Sequence, residues 1–472
     1  MNWHTVALEL GLCGWIAVLL IGDLMASPAR RTVLLGRLAT LGVLVLAGVL
    51  WWQRGVVGAA FDPMFVLDRF AYTFKWLFLV TALVVVLMIR LFAGSLSSRL
   101  GEFYLLIFSA LLGAFVLASA TDLLLLFVGL ELMTFSLYVM SAYVKTDPRS
   151  IEAGMKYLIM GSISSGFLIY GVSLLYGAAG GTSFEALRQL MAGAPVNGTT
   201  AAGLLLVMAG LGFKIAAVPF HLWVPDVYEG APTPVVAFLS VGSKMAGAVA
   251  LLRLLYAACL PAHALWGGIL AVLSAATMLY GNLAAIPQTN IKRLLGYSSI
   301  GHAGYLLMGL STATPFGAQA VGMYLLAYLV SNLTAFLVVV IVSQAIGTDN
   351  LDGYNGLSRR SPLLAASLFI ALLSLAGVPP LAGFVGKLFV LLATVEIERL
   401  WLVAIGAINV AISLYYYLMV VRRMYLLTPS ASQPIAVSGL SRTVLLLLLL
   451  GIVAIGTFQE PFLRLISSAV VF

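Results

Sequence analysis

The sequence predicts an all-α integral membrane protein with about fourteen transmembrane helices. Of its 472 residues, 62% are hydrophobic and only 9% are charged, a balance that domains soluble in water do not reach. Apolar runs of about 20 residues, the length that crosses a bilayer as a helix, follow one another along the chain. Ionisable residues inside several of these runs indicate a polar path, because a charge at bilayer depth costs about 3 kcal/mol or more.

Each apolar run is interpreted as one helix. The predicted spans lie near residues 5–24, 33–52, 70–93, 104–120, 122–144, 155–178, 201–228, 233–258, 264–286, 294–312, 317–344, 362–395, 399–424 and 441–470. The first run lacks a basic segment and a cleavage site, and Glu9 and Asp23 interrupt it, so we interpret it as a span and not as a signal peptide.

The basic residues are distributed unevenly among the connections. Fifteen of the 25 lie in or beside odd-numbered connections, six lie in or beside even-numbered connections or the C-terminal segment, and four lie inside spans. Because cytoplasmic loops are enriched in lysine and arginine, this places the odd connections in the cytoplasm and both termini on the outer side. The net charge of +8 thus has a topological interpretation, and no nucleic-acid partner is predicted.

Proline interrupts two of the predicted spans, the seventh in KIAAVPFHLWVP and the twelfth in LAGVPPLAGFVGK. Irregular backbone at membrane depth lines a hydrated cavity or is buried in protein, and paired broken helices indicate a transport site. The breaks are five spans apart, so helices 4–8 repeated as helices 9–13 would form an inverted repeat. The predicted domains are peripheral helices 1–3 at 1–100, the two repeats at 101–260 and 261–426, and helix 14 with the C-terminus at 427–472.

Five ionisable residues are candidates for proton transfer: Glu131, Lys214, Lys244, His302 and Lys387. Lys214 precedes the first break by a few residues, and Lys387 follows the second at a similar distance. Glu131 is about nine residues from the nearer end of its span, too far to reach the headgroups, so it needs an internal partner, for which Lys214 is the candidate.

Lys244 is central in its span and is flanked by Gly242, Ser243 and Gly247, small residues that permit close helix packing or leave room for water. Burial favours the neutral form of a lysine and a nearby carboxylate favours the charged form, so a lysine between these influences can load and release a proton.

His302 has a near-neutral titration range that suits proton relay, although a core histidine hydrogen-bonded to Ser298 or to a backbone carbonyl is the alternative. Lys75 lies about five residues inside the third span and is expected to reach the membrane surface with its side chain. His221 and Asp226 are expected to cap the broken helix or to line the cytoplasmic entrance. Lys292 and Arg293 are interpreted as topological charges.

Three segments identify a family: GFKIAAVPFHLWVPDVYEGAPTPVVAFLSVGSKMAG, NIKRLLGYSSIGHAGYLLMG and LAGVPPLAGFVGKLFV. Over essentially its whole length the chain resembles the antiporter-like membrane subunits of respiratory complex I, the bacterial proton-translocating NADH-quinone oxidoreductase. The run PDVYEGAPTPV, the lysine at position 387 and the end of the chain soon after the fourteenth helix favour the N-type members over the M and L types.

The resemblance implies fourteen helices, two inverted repeats and outward proton translocation coupled to quinone reduction in partner subunits. It implies that Glu131 is the channel glutamate, Lys214 the broken-helix lysine, Lys244 the connecting lysine and Lys387 the exit-side lysine, and that His302 occupies a polar central position. No cofactor is expected in this chain, whereas FMN, iron–sulfur clusters and quinone are expected in partner subunits. The expected surroundings are sibling and other membrane-arm subunits in a bacterial inner membrane, with periplasmic termini.

Two other functions are compatible with parts of the pattern. A subunit of a multisubunit sodium/proton antiporter would share the fold and the buried lysines, but the PDVYEGAPTPV run disfavours it. A structural membrane anchor would use buried charges only to hold helices together, and interrupted spans beside lysines disfavour that function.

Overall fold

The structure, a computed structural model, describes residues 3–61, 63–92, 100–193, 196–429 and 433–470. Within these ranges the protein is almost entirely helical, and twelve helices are long and apolar enough to cross a membrane. The predicted all-α membrane fold is confirmed. The count of fourteen spans and the inverted repeat stay predictions. Two predicted spans are not among the twelve: 294–312 corresponds to the helix Ile291–Leu310, and 362–395 is two shorter helices.

The helices follow one another in chain order. The first ten are α1 (Ala7–Met25), α2 (Pro28–Trp52), α3 (Arg69–Phe92), α4 (Leu100–Ser119), α5 (Leu123–Ser141), α6 (Pro148–Ala179), α7 (Phe184–Gly193), α8 (Gly198–Ile215), α9 (Val224–Gly230) and α10 (Thr233–Phe238). The others are α11 (Lys244–Leu252), α12 (His263–Ala285), α13 (Ile291–Leu310), α14 (Pro315–Ile346), α15 (Leu357–Arg360), α16 (Pro362–Ala376), α17 (Ala382–Glu396), α18 (Leu400–Leu426), α19 (Gly439–Thr457) and α20 (Gln459–Ala469). Strands β1 (Gly58–Ala60) and β2 (Phe65–Leu67) pair antiparallel, with Ala59 opposite Val66.

The chain divides into two compact units. Unit 1 contains the described residues up to Ile215, Gly230–Gly268 and the described residues from Ser468 onward. Unit 2 contains Ala216–Glu229 and Ile269–Ser467. In unit 1, α4 packs against α5 and α6 packs against α8. In unit 2, the fully buried α14 packs against α16, α17 and α19.

Local sequence signals set several helix ends. The Asp122 carboxylate accepts a hydrogen bond of 2.8 Å from the backbone of Leu124, which caps the start of α5. Helix α6 begins at Pro148, directly after the capping Asp147, and ends before Gly180, whose φ of +69° suits glycine.

The eighth predicted span, 233–258, is one continuous apolar path with two π-helical turns. The first turn covers Leu239–Ser243 and leads directly into Lys244, and the second covers Arg253–Ala258. Such wide turns expose backbone groups in the middle of a helix and are frequent at functional sites.

Both proline segments interrupt the helix path where the sequence predicts it. Helix α8 ends at Ile215, Ala216 adopts a left-handed φ of +65°, and α9 begins only at Val224. Helix α16 ends before Gly377, which has a φ of +91°, and α17 begins at Ala382.

One sequence-based expectation is corrected. The predicted span 441–470 is two helices, α19 and the short α20, because Pro461 lacks an amide hydrogen and therefore sits in the first turn of a new helix. Helix α7 lies in the connection between two predicted spans. Its buried residues Phe184, Leu187 and Met191 are three and four residues apart and therefore lie on one face.

Candidate functional site

The five candidate residues divide between the two units. Unit 1 contains Glu131 on α5, Lys214 on α8 and Lys244 at the start of α11, and unit 2 contains His302 on α13 and Lys387 on α17. The lysines are 1–3% exposed and His302 is 6% exposed, so these four side chains are withdrawn from the surface. Glu131 is half-buried.

Lys214 is held by two hydroxyl groups at the end of α8. Its Nζ donates to Thr134 Oγ1 at 2.8 Å and to Tyr157 OH at 3.1 Å, and lies 5.6 Å from the centre of the Tyr157 ring. The hydroxyl of Thr134 donates in turn to the backbone oxygen of Leu130 at 2.6 Å. Lys214 therefore has hydrogen-bond acceptors, but within the described residues no carboxylate is in direct contact with it.

The expected direct contact between Glu131 and Lys214 is not formed. Glu131 accepts a short hydrogen bond from Ser165 on α6, while Lys214 bonds to Thr134. Glu131 and Thr134 are three residues apart on α5 and thus lie on neighbouring turns of the same face. The reason for the difference is that the hydroxyl of Thr134 takes the position next to the ammonium, so the carboxylate acts on Lys214 from a greater distance.

Lys244 follows the first π-helical turn and lies in a segment that is buried on all sides. A Cβ atom at Gly247 would lie 2.9 Å from Ile215 Cγ2 and 3.2 Å from Lys214 Cβ. Glycine at this position thus permits the close approach of α11 to the lysine-bearing end of α8, as the sequence predicts for the small residues beside Lys244.

Lys387 is bound at the second break. Its Nζ donates to the backbone oxygen of Ala376 at 2.8 Å and to Ser413 Oγ at 3.4 Å, and lies 5.0 Å from the centre of the Tyr305 ring. Ala376 is the last residue of α16, where the carbonyl groups have no partner within the helix. The broken helix thus supplies the acceptor that holds the buried ammonium.

Two tyrosine hydroxyls contact the imidazole of His302. Nδ1 lies 2.6 Å from Tyr324 OH, and Nε2 lies 3.3 Å from Tyr417 OH. Ser298, one of the two partners in the alternative interpretation as a core histidine, reaches the imidazole only indirectly, because its Oγ lies 2.6 Å from Tyr417 OH. Each hydroxyl can donate and accept, so this arrangement can pass a proton through either ring nitrogen.

A small cavity joins the surroundings of His302 and Lys387. Tyr324, Tyr328 and Ser331 line it together with these two residues, and it has room for about one water molecule. Unit 2 therefore places its two candidate residues on the wall of one small cavity.

The segment after the first break forms an ion cluster in unit 2. Arg293 Nη1 donates to Asp226 at 2.7 Å and to Glu229 at 3.0 Å, and Lys292 pairs with Asp349 at 2.9 Å. The two basic residues at the start of α13 thus make specific contacts in addition to their predicted topological role. His221 is buried with its ring against Tyr280, at a centroid distance of 4.3 Å.

The expectation for Lys75 is wrong. Its side chain is 0% exposed, and Nζ lies 2.6 Å from Glu9 Oε1. The N-terminal helix approaches closely enough to cover Lys75 and to offer a carboxylate, so the side chain stays inside the protein.

Most of the hydroxyl groups at the site are not predictable from the sequence. Thr134, Tyr157, Ser165, Tyr324, Tyr417 and Ser413 contact the candidate residues. Only Thr134 has a sequence signal, since it follows Glu131 by one turn. The part of the chain that the structure describes contains no group of three metal-binding side chains.

The chain matches the protein family described as "NADH:quinone oxidoreductase/Mrp antiporter, TM" over residues 120–413. It is 42% identical over 468 residues to NADH-quinone oxidoreductase subunit N of Desulforamulus reducens, covering 98% of this chain and 97% of that protein.

Solved structures agree with this match. A chain of respiratory complex I from Thermus thermophilus with bound aureothin superimposes with a TM-score of 0.84 at 33% identity, covering 98% of this chain and 99% of the other. A chain of the Mrp complex from Dietzia sp. superimposes with a TM-score of 0.86 at 22% identity, covering 100% and 97%, a likeness of fold alone.

Proposed function

We propose a route for protons through this chain, which belongs to the subunit N family of NADH-quinone oxidoreductase, the antiporter-like membrane-arm subunits of respiratory complex I. In this proposal Glu131, Lys214 and Lys244 transfer protons in unit 1, and His302 and Lys387 transfer them in unit 2. The driving energy comes from quinone reduction in partner subunits. The chain thereby acts in a translocase without redox chemistry of its own.

One observation carries the proposal: each interrupted helix has a buried lysine at its break, held by neutral acceptors. Lys214 bonds to Thr134 and Tyr157, and Lys387 bonds to Ala376 and Ser413. A buried ammonium without an adjacent carboxylate is costly, so both lysines can also exist as neutral amines. A lysine of this kind takes up or releases a proton when a nearby charge changes, which is the step that a pump needs.

Hydroxyl groups lie beside the proposed proton-transfer residues in each unit. In unit 1 the Thr134 hydroxyl contacts Lys214 and lies one turn from Glu131. In unit 2 the Tyr324 hydroxyl contacts His302 and lines the cavity that also reaches Lys387. Because hydroxyls and a bound water both donate and accept, they can carry a proton over distances that the ionisable groups do not span.

The assembly follows from the family. The Thermus relative is a chain of whole respiratory complex I, so we expect this chain to contact sibling antiporter-like and other membrane-arm subunits in a bacterial inner membrane. FMN, iron–sulfur clusters and quinone are assigned to the partner subunits. The distribution of basic residues assigns the termini of this chain to the periplasmic side.

Co-purification and pumping test the proposal. The tagged chain, extracted in mild detergent, should bring flavin, iron–sulfur signals and NADH-dependent quinone reduction with it. In vesicles containing the assembled enzyme, Lys214→Ala and Glu131→Ala should impair proton pumping. The control is Lys156→Ala, a half-exposed lysine in an i,i+4 pair with Glu152.

Full pumping by assembled Lys214→Ala and Glu131→Ala enzymes would remove both residues from the route. Isolation of the chain with small antiporter subunits alone, without flavin or iron–sulfur signals, would replace the complex I assignment by ion exchange.

A further inference from the structure

A second buried ion pair lies in unit 1, outside the residues used above. Glu9 on α1 and Lys75 on α3 have a contact of 2.6 Å between Oε1 and Nζ. Lys75 is 0% exposed and Glu9 is 8% exposed. The pair is therefore withdrawn from water almost completely.

This ion pair has unusually little support from its surroundings. Among the described residues, the ammonium of Lys75 and both carboxylate oxygens of Glu9 lack any hydrogen-bond partner beyond the pair itself. The ring of Phe65 lies 4.9 Å from Nζ. A buried ion pair is stable as ions only when further hydrogen bonds satisfy it, so the neutral form of this pair is accessible.

A second pair of charges lies in the same unit. Arg253, which is 3% exposed, donates two hydrogen bonds of 2.9 and 2.8 Å to the Asp68 carboxylate. Arginine keeps its proton, so Asp68 and Arg253 supply a fixed pair of charges in the vicinity of a pair that can change.

The helix that carries Lys75 packs close to the segment that carries Lys244. Helix α3, which carries Lys75, packs against α10 and against the π-helical turn that precedes Lys244. The two ion pairs join the starts of α1 and α3 to the end of the eighth span, and the predicted topology places these three ends on the outer side of the membrane.

We propose that Glu9 and Lys75 form a further proton-exchange site near the outer side of unit 1. In the exchange an N–H bond of Lys75 breaks and an O–H bond of Glu9 forms, so the ion pair becomes a neutral amine and a neutral carboxylic acid. The same proton returns in the reverse step, or the acid gives it to water on the outer side while the amine takes up a replacement. This assignment rests on the proposed proton-translocating function.

The decisive variant is Lys75→Arg in the assembled enzyme. Arginine keeps the positive charge beside Glu9 but does not release its proton, so it preserves an ion pair and blocks an exchange. We expect proton pumping in vesicles to slow on the order of tenfold or more. The matched control is Lys156→Arg, whose pair with Glu152 has a similar distance of 2.7 Å but is exposed, and it should pump normally.

A second variant separates exchange from a structural role. Glu9→Leu combined with Lys75→Met removes both charges at similar volume, a change that buried ion pairs often tolerate in stability. We expect this double variant to assemble and to pump slowly. Normal pumping by either Lys75→Arg or the double variant would overturn the inference, and so would failure of both to assemble, because the pair would then be a structural clamp.

The outcome is independent of the test of Lys214. Normal pumping by Lys214→Ala contradicts the proposed route, whereas normal pumping by Lys75→Arg contradicts this inference alone. Measuring both variants in the same vesicle preparation distinguishes the two failures.

Discussion

Lys214 donates a hydrogen bond of 2.8 Å to Thr134, a threonine one helical turn from Glu131. The buried ammonium and the carboxylate thus act on each other across a hydroxyl group and not through a direct ion pair. A carboxylate in direct contact would favour the charged form of the lysine more strongly. The separation leaves both protonation states of Lys214 accessible, which suits proton transfer.

Thr134→Val is expected to slow proton pumping. Valine has the same shape but offers no hydrogen-bond acceptor. The protonated Lys214 therefore loses a charged hydrogen bond worth about 1.5–3 kcal/mol, which lowers the population of the protonated form roughly tenfold or more. Thr134→Ser keeps the hydroxyl and serves as the control. Pumping is measured in vesicles, and equal rates for valine and serine would show that the hydroxyl has no role.

Tyr324→Phe is expected to impair pumping through unit 2. The change removes the hydroxyl 2.6 Å from His302 Nδ1 but leaves the ring in place. Tyr416→Phe is the control, because its hydroxyl donates to Asn282 at 2.9 Å and not to the histidine. The prediction fails if the two phenylalanine variants pump protons at the same rate.

Lys387→Glu is expected to retain more pumping than Lys387→Ala. A protonated glutamic acid can still donate to the backbone oxygen of Ala376 and can still carry a proton, whereas alanine does neither. The measurement is the number of protons moved per NADH oxidised by the assembled enzyme. An equal loss in both variants would contradict proton transfer at this position.

Gly377→Ala is expected to disturb Lys387 through the backbone. The glycine has a φ of +91°, and an added Cβ would lie 2.9 Å from Lys387 Cδ. Gly347→Ala is a close control, because Gly347 also ends a helix with a positive φ of +74° but has open space around its Cβ position. Both variants bear backbone strain of about 1 kcal/mol, and only Gly377→Ala should lower pumping. Similar pumping by both would show that Lys387 accommodates the methyl group.

Asp68→Asn is expected to destabilise the protein by about 1–2 kcal/mol, because it leaves the buried Arg253 without a counter-charge. The loss is smaller than for a fully buried ion pair, because water reaches the half-buried position 68. Burial opposes ionisation of Asp68, but the Arg253 guanidinium holds the pKa of this carboxyl below its usual range. A lowered pKa stabilises the fold above the ordinary value of about 3.9, and this contribution is lost as the pH falls through the lowered value.

The measurement for Asp68→Asn is the midpoint of thermal inactivation of the assembled enzyme at neutral pH. Asp147→Asn is the control, because Asp147 caps α6 without binding an arginine side chain and asparagine caps helices equally well. A midpoint for Asp68→Asn that matches the control would mean that the Arg253 contact contributes nothing to stability.

The sequence by itself determined the membrane fold, the two interrupted helices and the buried lysines beside them. These features follow from local properties: the length of an apolar run, the missing amide hydrogen of proline and the high cost of a charge in hydrocarbon. The glycine at 247 was also predictable as a close helix contact, because a missing side chain leaves space wherever the neighbouring helix lies.

Only the tertiary structure decided which groups meet. Thr134 stands beside Lys214, Tyr324 and Tyr417 contact His302, and Glu9 covers Lys75, although these partners are far apart in the sequence or lie in apolar runs. A hydroxyl in such a run gives no periodic signal, and a lysine near a span end reaches the surface or stays buried according to the helix beside it. Helix packing sets these contacts, because it fixes distances between residues that chain spacing leaves free.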